Sequence, residues 1–281
     1  MPGMATHLIV QGHEVETADL KALAKLTGAA RIEQITSYAF RLVRARPEEA
    51  ATAYCASARL DCAFVPEDLK LAHFRLAVMD MDSTLITIET IDEIADMLGL
   101  KGRVAEITAA AMRGEIDYAA SLRERAALLA GLDEGALRRV YEERLRLSPG
   151  AERLVAALRH LGVRTLLVSG GFTYFTDRLQ LRLAIDETCS NTLEIRDGRL
   201  TGRVVGDIVD AAGKRAALER TRSALGIARE QVIGIGDGAN DLEFLAAAGV
   251  SVAYHAKPVV RSRATYALDY VGLDGILNLF G

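Results

Sequence analysis

Apolar residues along this chain come in short runs near each end and in longer helical stripes between them, and the rhythm changes twice. An apolar run over residues 7–11 predicts a strand. A helix is expected over 18–26, with Thr17 as its N-cap. β-Branched and aromatic residues over 31–43 predict extended structure. The Ala-rich stretch 47–60 carries Glu48 and Glu49 near its start, which suits a helix. Residues 62–65 read as a short strand closed by Pro66. Strands and helices alternating over so short a length predict a small α+β domain, residues 1–71.

Residues 76–80 are a second kind of run. Apolar residues end abruptly in Asp80-Met81-Asp82-Ser83-Thr84, which is how a buried parallel strand ends. From about 90 to 147 the period becomes helical, with hardly a strand signal. Helices are expected over 91–98, 104–112, 118–129 and 134–147. Gly99, Gly114 and Gly131 punctuate them, and Pro149-Gly150 closes the block. This is an all-α insertion at about 87–148.

After Pro149, apolar strands (163–168, 232–235, 250–254) alternate with helices (151–161, 172–183, 214–225 and one through Ala247). A hairpin is expected over 193–205 around Asp197-Gly198. The fold class is therefore α/β: a parallel sheet with right-handed crossovers in a domain of residues 72–281, interrupted by the helical insertion.

Composition narrows the function. Half of the 281 residues are hydrophobic, so a sizeable core is expected. The net charge of -4, with basic clusters as short as Arg138-Arg139 and Arg261-Ser262-Arg263, argues against a nucleic-acid partner. The three cysteines have no metal-ligand spacing. The opening Met1-Pro2-Gly3-Met4 lacks the charged and apolar regions of a secretion signal, and a cytoplasmic protein with reduced thiols is expected. No apolar run approaches the roughly 18 residues of a membrane helix, so no membrane partner is expected.

Polar residues then mark the chemistry. Asp80 with Asp82, Ser169 with Gly170, and Asp237 with Asn240 and Asp241 each follow an apolar strand. Lys214 opens a helix. Each station alone has an ordinary reading, as a turn or as a solvated helix start. Carboxyl ends of parallel strands share one edge, however, so the strand-end stations can converge there. Carboxylates, a hydroxyl, Gly-freed amides and an ammonium suit an anion held beside a divalent cation, the need of phosphoryl transfer. The pattern Gly234-x-Gly236-x-x-Ala239 also fits a dinucleotide fingerprint. Against that, no acid follows about 20 residues on, near Lys257-Pro258, and Asp237 would oppose a pyrophosphate.

In order, Asp80-Met81-Asp82-Ser83-Thr84, Ser169-Gly170-Gly171, Lys214 and Gly236-Asp237-Gly238-Ala239-Asn240-Asp241 resemble the motifs of the haloacid dehalogenase superfamily, and within it the phosphoserine phosphatase family. The resemblance runs from about Phe74 to the C-terminus. It implies a Rossmannoid sheet with an inserted helical cap. It implies Asp80 as nucleophile, forming an aspartyl-phosphate, and Asp82 as general acid and then base. Mg²⁺ would be held by the carboxylates of Asp80 and Asp237 and the backbone carbonyl of Asp82, with Asp241 supporting through water. Ser169, Gly170 and Gly171 would form the phosphate loop, and Lys214 would neutralise charge on Asp80 and the phosphoryl group. Asn240 would orient the phosphate or Lys214.

In the cap, the resemblance implies Glu89 for a substrate ammonium, Arg125 for its carboxylate and Met112 as an apolar cover. Tyr118 stands where the family often has Phe, and is expected to loosen the lid. The small N-terminal domain is expected to be an ACT-like module with a regulatory or dimerising role, giving a homodimer. The implied activity is hydrolysis of O-phospho-L-serine to serine and phosphate, the last step of serine biosynthesis. Two alternatives stay open: a related phosphatase or phosphotransferase on another small phosphomonoester, and an amino-acid-sensing or scaffold protein with a vestigial phosphatase fold.

Overall fold

The apolar runs of the first 66 residues pair with one another. In a computed structural model describing residues 5–281, with the Met112 side chain and Met1-Pro2-Gly3-Met4 outside the described residues, six elements come first. They are β1 (Thr6–Gln11), α1 (Thr17–Thr27), β2 (Arg31–Thr36), β3 (Ala39–Val43), α2 (Glu49–Ser57) and β4 (Asp61–Pro66). The strand order β2-β3-β1-β4, antiparallel throughout, gives the βαββαβ arrangement of ferredoxin-like units. Alternation along β1 divides its work. Leu8 and Val10 pack with Leu20, Leu23 and Cys55 of the two helices. Ile9 joins the core of the main body instead. Gln11 bonds Gly275 O (3.2 Å) and Asn278 Nδ2 (2.8 Å). Asp61 accepts the N–H groups of Asp269, Tyr270 and Val271 at 2.6, 2.9 and 3.0 Å.

The main body continues through β5 (Leu76–Asp80), α3 (Thr90–Asp96), α4 (Lys101–Met112), α5 (Tyr118–Ala127), α6 (Gly135–Arg139), α7 (Ala151–His160) and β6 (Arg164–Phe172). Then come α8 (Thr173–Leu183), β7 (Glu187–Arg196), β8 (Arg199–Val205), α9 (Ala211–Leu225), β9 (Val232–Gly236), α10 (Leu242–Ala247), β10 (Val250–Tyr254), α11 (Pro258–Arg261), β11 (Tyr266–Leu268) and α12 (Gly275–Leu279). The sheet order is β11-β10-β9-β5-β6-β7-β8. Every pairing is parallel except the β7–β8 hairpin. Both faces of β5 are covered: Ala77 and Met79 face one core cluster, Leu76 and Val78 the other. Truncating a fully buried residue such as Leu76 to Ala costs about 2–5 kcal/mol. β5 lies between β6 and β9, so the carboxyl ends of these three strands are neighbours. The helices α3 to α6 are inserted after β5.

Several local expectations change. Glu16, not Thr17, is the N-cap of α1, and the Asp19 carboxylate accepts the Glu16 N–H at 3.1 Å. The helix expected over 134–147 is α6 followed by a wide π-type turn, Val140–Arg144, that brings Arg144 to Glu93 and Asp96 at 2.6 Å each. The strand at 163–168 runs on to Phe172, so α8 starts at Thr173. Asp210 caps α9 by accepting the Gly213 N–H (2.8 Å), which puts Lys214 inside its first turn rather than at its opening. β7 begins at Glu187, well before the predicted hairpin strand. At the hairpin tip Asp197 (φ 51°) and Gly198 (φ 71°) both take the left-handed conformation such turns demand.

Candidate active site

Lys214 is 1% exposed, and a buried ammonium needs partners. Its Nζ donates to Asp80 Oδ1 and to Asp241 Oδ1, 2.7 Å in each case. Asp80 arrives from the end of β5 and Asp241 from the turn after β9. The other Asp241 oxygen accepts the N–H groups of Asp237 (3.0 Å) and Gly238 (2.9 Å), which fixes the turn carrying Asp237. A Cβ at Gly236 would lie 2.6 Å from Asp241 Oδ2, so this close approach requires glycine. Asp237 in turn accepts the Thr84 hydroxyl at 2.8 Å.

Carboxylate oxygens of Asp80, Asp237 and Asp241 lie within 4.8 Å of one another. One ammonium among three carboxylates leaves negative charge in a buried place. Burial and the Asp241 carboxylate push the Asp80 carboxyl up, against the pull of Lys214. Burial and Asp241 also push Asp237 up, to about 6, against the Thr84 hydrogen bond. Burial works against the Lys214 charge, but Asp80 and Asp241 outweigh it and hold that pKa above its ordinary value. An all-oxygen donor set with excess negative charge fits a hard divalent cation.

The Asp82 carboxylate points away from this cluster. The turn Met81–Leu85 is irregular, with Ser83 in the left-handed region (φ 55°). It swings Asp82 Oδ1 onto the Thr90 N–H (2.8 Å) and Oδ2 onto the Ser169 hydroxyl (3.3 Å). Both Asp82 carboxylate oxygens are thus engaged outside the cluster of Asp80, Asp237 and Asp241. Burial and the Glu89 carboxylate push Asp82 up to about 7, and the Thr90 N–H pulls the other way. A group that gives and takes a proton near neutrality is what general acid–base work needs. Ser169 Oγ also accepts the Gly171 N–H at 2.8 Å. A Cβ at Gly171 would meet Asp82 Oδ2 at 2.7 Å, so this turn too depends on glycine.

These groups open into a cavity of about 560 Å³ between the sheet edge and the helical insertion. Glu89 lines it from the N-cap of α3, its Oε1 accepting the Ser83 hydroxyl at 2.7 Å. Arg125 lines it from α5, donating through Nε only to the Ser121 carbonyl of its own helix (3.3 Å). Among the described residues, neither makes an ion pair. Asn240 faces the cavity, while Lys214 donates its hydrogen bonds to carboxylates. Met112 ends α4, but its side chain lies outside the described residues.

Tyr118 departs from expectation. Rather than loosening the lid, its hydroxyl donates to the Gly170 carbonyl at 3.3 Å, joining insertion to sheet. Sequence reasoning also passed over Thr90 and Asn191, which hold Asp82 and Gly170. Asp92 and Lys257, both on the cavity wall, were missed as well. Thr90 carried a signal, standing beside Glu89 at a helix start. Asn191 carries none, lying in a polar stretch without the alternation of a strand.

The chain is similar to proteins of known family and known structure. The family model described as haloacid dehalogenase-like hydrolase matches residues 77–246. A second, a domain of unknown function, matches residues 8–51. A phosphoserine phosphatase of a Polaromonas species is 57% identical over 217 residues, covering 75% of this chain and 92% of that protein. A crystal structure of a haloacid dehalogenase family hydrolase from Salmonella enterica serovar Typhi superposes with a TM-score of 0.88 at 32% identity, covering 98% of both chains. The unliganded probable phosphoserine phosphatase of Vibrio cholerae gives 0.87 at 36% identity, covering 98% of this chain and 86% of that one.

Proposed function

We propose that this chain, which belongs to the haloacid dehalogenase-like hydrolase family, is a phosphatase that hydrolyses O-phospho-L-serine to L-serine and inorganic phosphate. One observation carries the choice of substrate. A carboxylate, Glu89, and a guanidinium, Arg125, without ion-pair partners among the described residues share the cavity of Asp80 and Asp82. Together they complement the ammonium and carboxylate of an amino acid whose phosphate reaches the sheet edge. A planar fork suits a carboxylate better than a lysine would.

In this reading Asp80 attacks phosphorus, and the bond from phosphorus to the serine oxygen breaks. Asp82 gives its proton to the departing oxygen, because an alkoxide leaves poorly near neutral pH. Asp82, now a carboxylate, takes a proton from a water whose oxygen attacks the same phosphorus. Asp80 and phosphate are released. Ser169 and the Gly170 amide hold phosphoryl oxygens, with Gly171 in the same loop and Asn240 beside them. Lys214 lowers the repulsion between Asp80 and the incoming anion. Asp80, Asp237 and the Asp82 carbonyl would hold Mg²⁺, which when bound supplies positive charge to the phosphoryl oxygens. Asp241 fixes Lys214 and the Asp237 turn.

The same proposal includes the small N-terminal domain, residues 1–71, as an ACT-like module for regulation or a homodimer, supported by its βαββαβ order. It places the enzyme in the cytoplasm, away from nucleic acid and membranes. The unpaired cysteines Cys55, Cys62 and Cys189 support that location. Among the described residues no helix is long and apolar enough to cross a membrane.

A substrate series tests the reading. L-Phosphoserine is compared with phosphoethanolamine, which lacks the carboxylate, and 3-phosphooxypropanoate, which lacks the ammonium. Each deletion is expected to lower kcat/KM by about tenfold or more. Equal use of all three would move the assignment to a general small-phosphomonoester phosphatase.

A further inference from the structure

The Gly170 carbonyl is gripped from two sides. Asn191 Nδ2 donates to it at 2.8 Å from β7, and Tyr118 Oη donates at 3.3 Å from the first residue of α5. Asn191 is itself fixed, being 1% exposed with its Oδ1 accepting the Val209 N–H at 2.8 Å. One hand therefore belongs to the sheet and the other to the helical cap.

The gripped carbonyl belongs to the same peptide unit as the Gly171 N–H, and that N–H donates to Ser169 Oγ at 2.8 Å. A hydroxyl oxygen that accepts there must send its own hydrogen elsewhere, and here it goes to Asp82 Oδ2. Whatever fixes the peptide between Gly170 and Gly171 thus fixes the direction in which Ser169 can donate. A Cβ on residue 170 would lie 2.1 Å from Tyr118 Oη, so the missing side chain makes the room that the hydroxyl fills.

We infer that Tyr118 is a positioning residue whose hydroxyl latches the cap onto the Gly170 carbonyl, so that the docking of the cap and the setting of Ser169 against Asp82 pass through one peptide unit. Asn191 holds the same carbonyl from the sheet, with no part of the cap involved. A phenylalanine would keep the ring packing and forfeit the latch. The inference deepens the phosphatase reading and rests on it for its kinetic half alone.

The test is Tyr118→Phe, a change that removes one oxygen. Loss of a net hydrogen bond corresponds to about a two- to tenfold change. Amide exchange over α5 and residues 169–172, followed without substrate, is expected to quicken by that factor while the amides of β5 and β9 stay as they are. The kcat/KM for L-phosphoserine is expected to fall by a similar factor. Unchanged exchange in the cap overturns the latch, whatever the kinetics do. Faster exchange with unchanged kcat/KM overturns its coupling to Ser169. A wild-type enzyme inert toward L-phosphoserine would count against the substrate assignment, and the exchange measurement would still judge the latch.

Discussion

Asp241 stands as close to the Lys214 ammonium as Asp80 does, 2.7 Å in each case, and all three side chains are buried. The lysine is thus held by a carboxylate outside the proposed chemistry and aimed at the one proposed to react. Removing one member of a buried ion cluster leaves uncompensated charge, at a cost of about 3–5 kcal/mol. Lys214→Ala is expected to lose that much stability in urea unfolding, along with at least about a hundredfold in kcat. Stability equal to wild type would mean that the ammonium does not offset the carboxylates as described.

The same excess of carboxylate predicts a metal effect on stability. A cation that binds only the folded state stabilises it by about 2.7 kcal/mol at a hundred times its Kd. Adding Mg²⁺ to the EDTA-treated protein is expected to raise Tm, and Asp237→Asn is expected to abolish most of the rise. A rise as large in the variant would move the cation away from the cluster of Asp80, Asp237 and Asp241.

Arg125 and Glu89 divide the substrate between them. Hydrogen bonds to charged groups contribute about 1.5–3 kcal/mol, so Arg125→Ala is expected to raise KM for L-phosphoserine roughly ten- to a hundredfold. KM for phosphoethanolamine, which has no carboxylate, is expected to stay within about twofold. Glu89→Gln is expected to weaken both substrates, since both carry an ammonium. An equal loss on both substrates in Arg125→Ala would assign the guanidinium to the phosphate instead.

A pH effect is expected far from the cavity. His7 is 7% exposed and its Nδ1 accepts the Arg44 N–H at 3.2 Å, which requires the neutral ring. Burial lowers its pKa from the ordinary 6.5, with Glu67 opposing and Arg41 and Lys70 assisting. The unfolded chain therefore takes up this proton first. The contribution is fully present above about pH 6.5 and is lost as pH falls toward the lowered folded value. Melting of wild type and His7→Gln between pH 7.5 and 5.5 checks it: the wild type is expected to lose more Tm on acidification. Parallel curves would contradict the assignment.

What was legible in the sequence follows from where the chemistry sits. Asp80, Ser169 and Asp237 each stand where an apolar strand turns polar, and parallel pairing of β5 with β6 and β9 brings those ends together. Asn191 lies in Thr188-Cys189-Ser190-Asn191, where no apolar alternation marks a strand. Pairing with β6 imposes the strand there, and that information is not local. Tyr118 was legible as a departure but not in its effect, because the room for its hydroxyl is made by a glycine 52 residues away. The break after α6 was hidden for a similar reason, since the partners of Arg144 are Glu93 and Asp96 in α3.

The most direct test of the central claim is phosphate release from L-phosphoserine by wild type and Asp80→Asn, each with Mg²⁺ and with EDTA. The account predicts release by the wild type with Mg²⁺ alone, and loss of at least about 10³-fold in the Asn variant, which keeps the shape of the residue but not the attacking carboxylate. Release by Asp80→Asn at a rate near wild type would contradict it, because Asp80 could not then be the nucleophile.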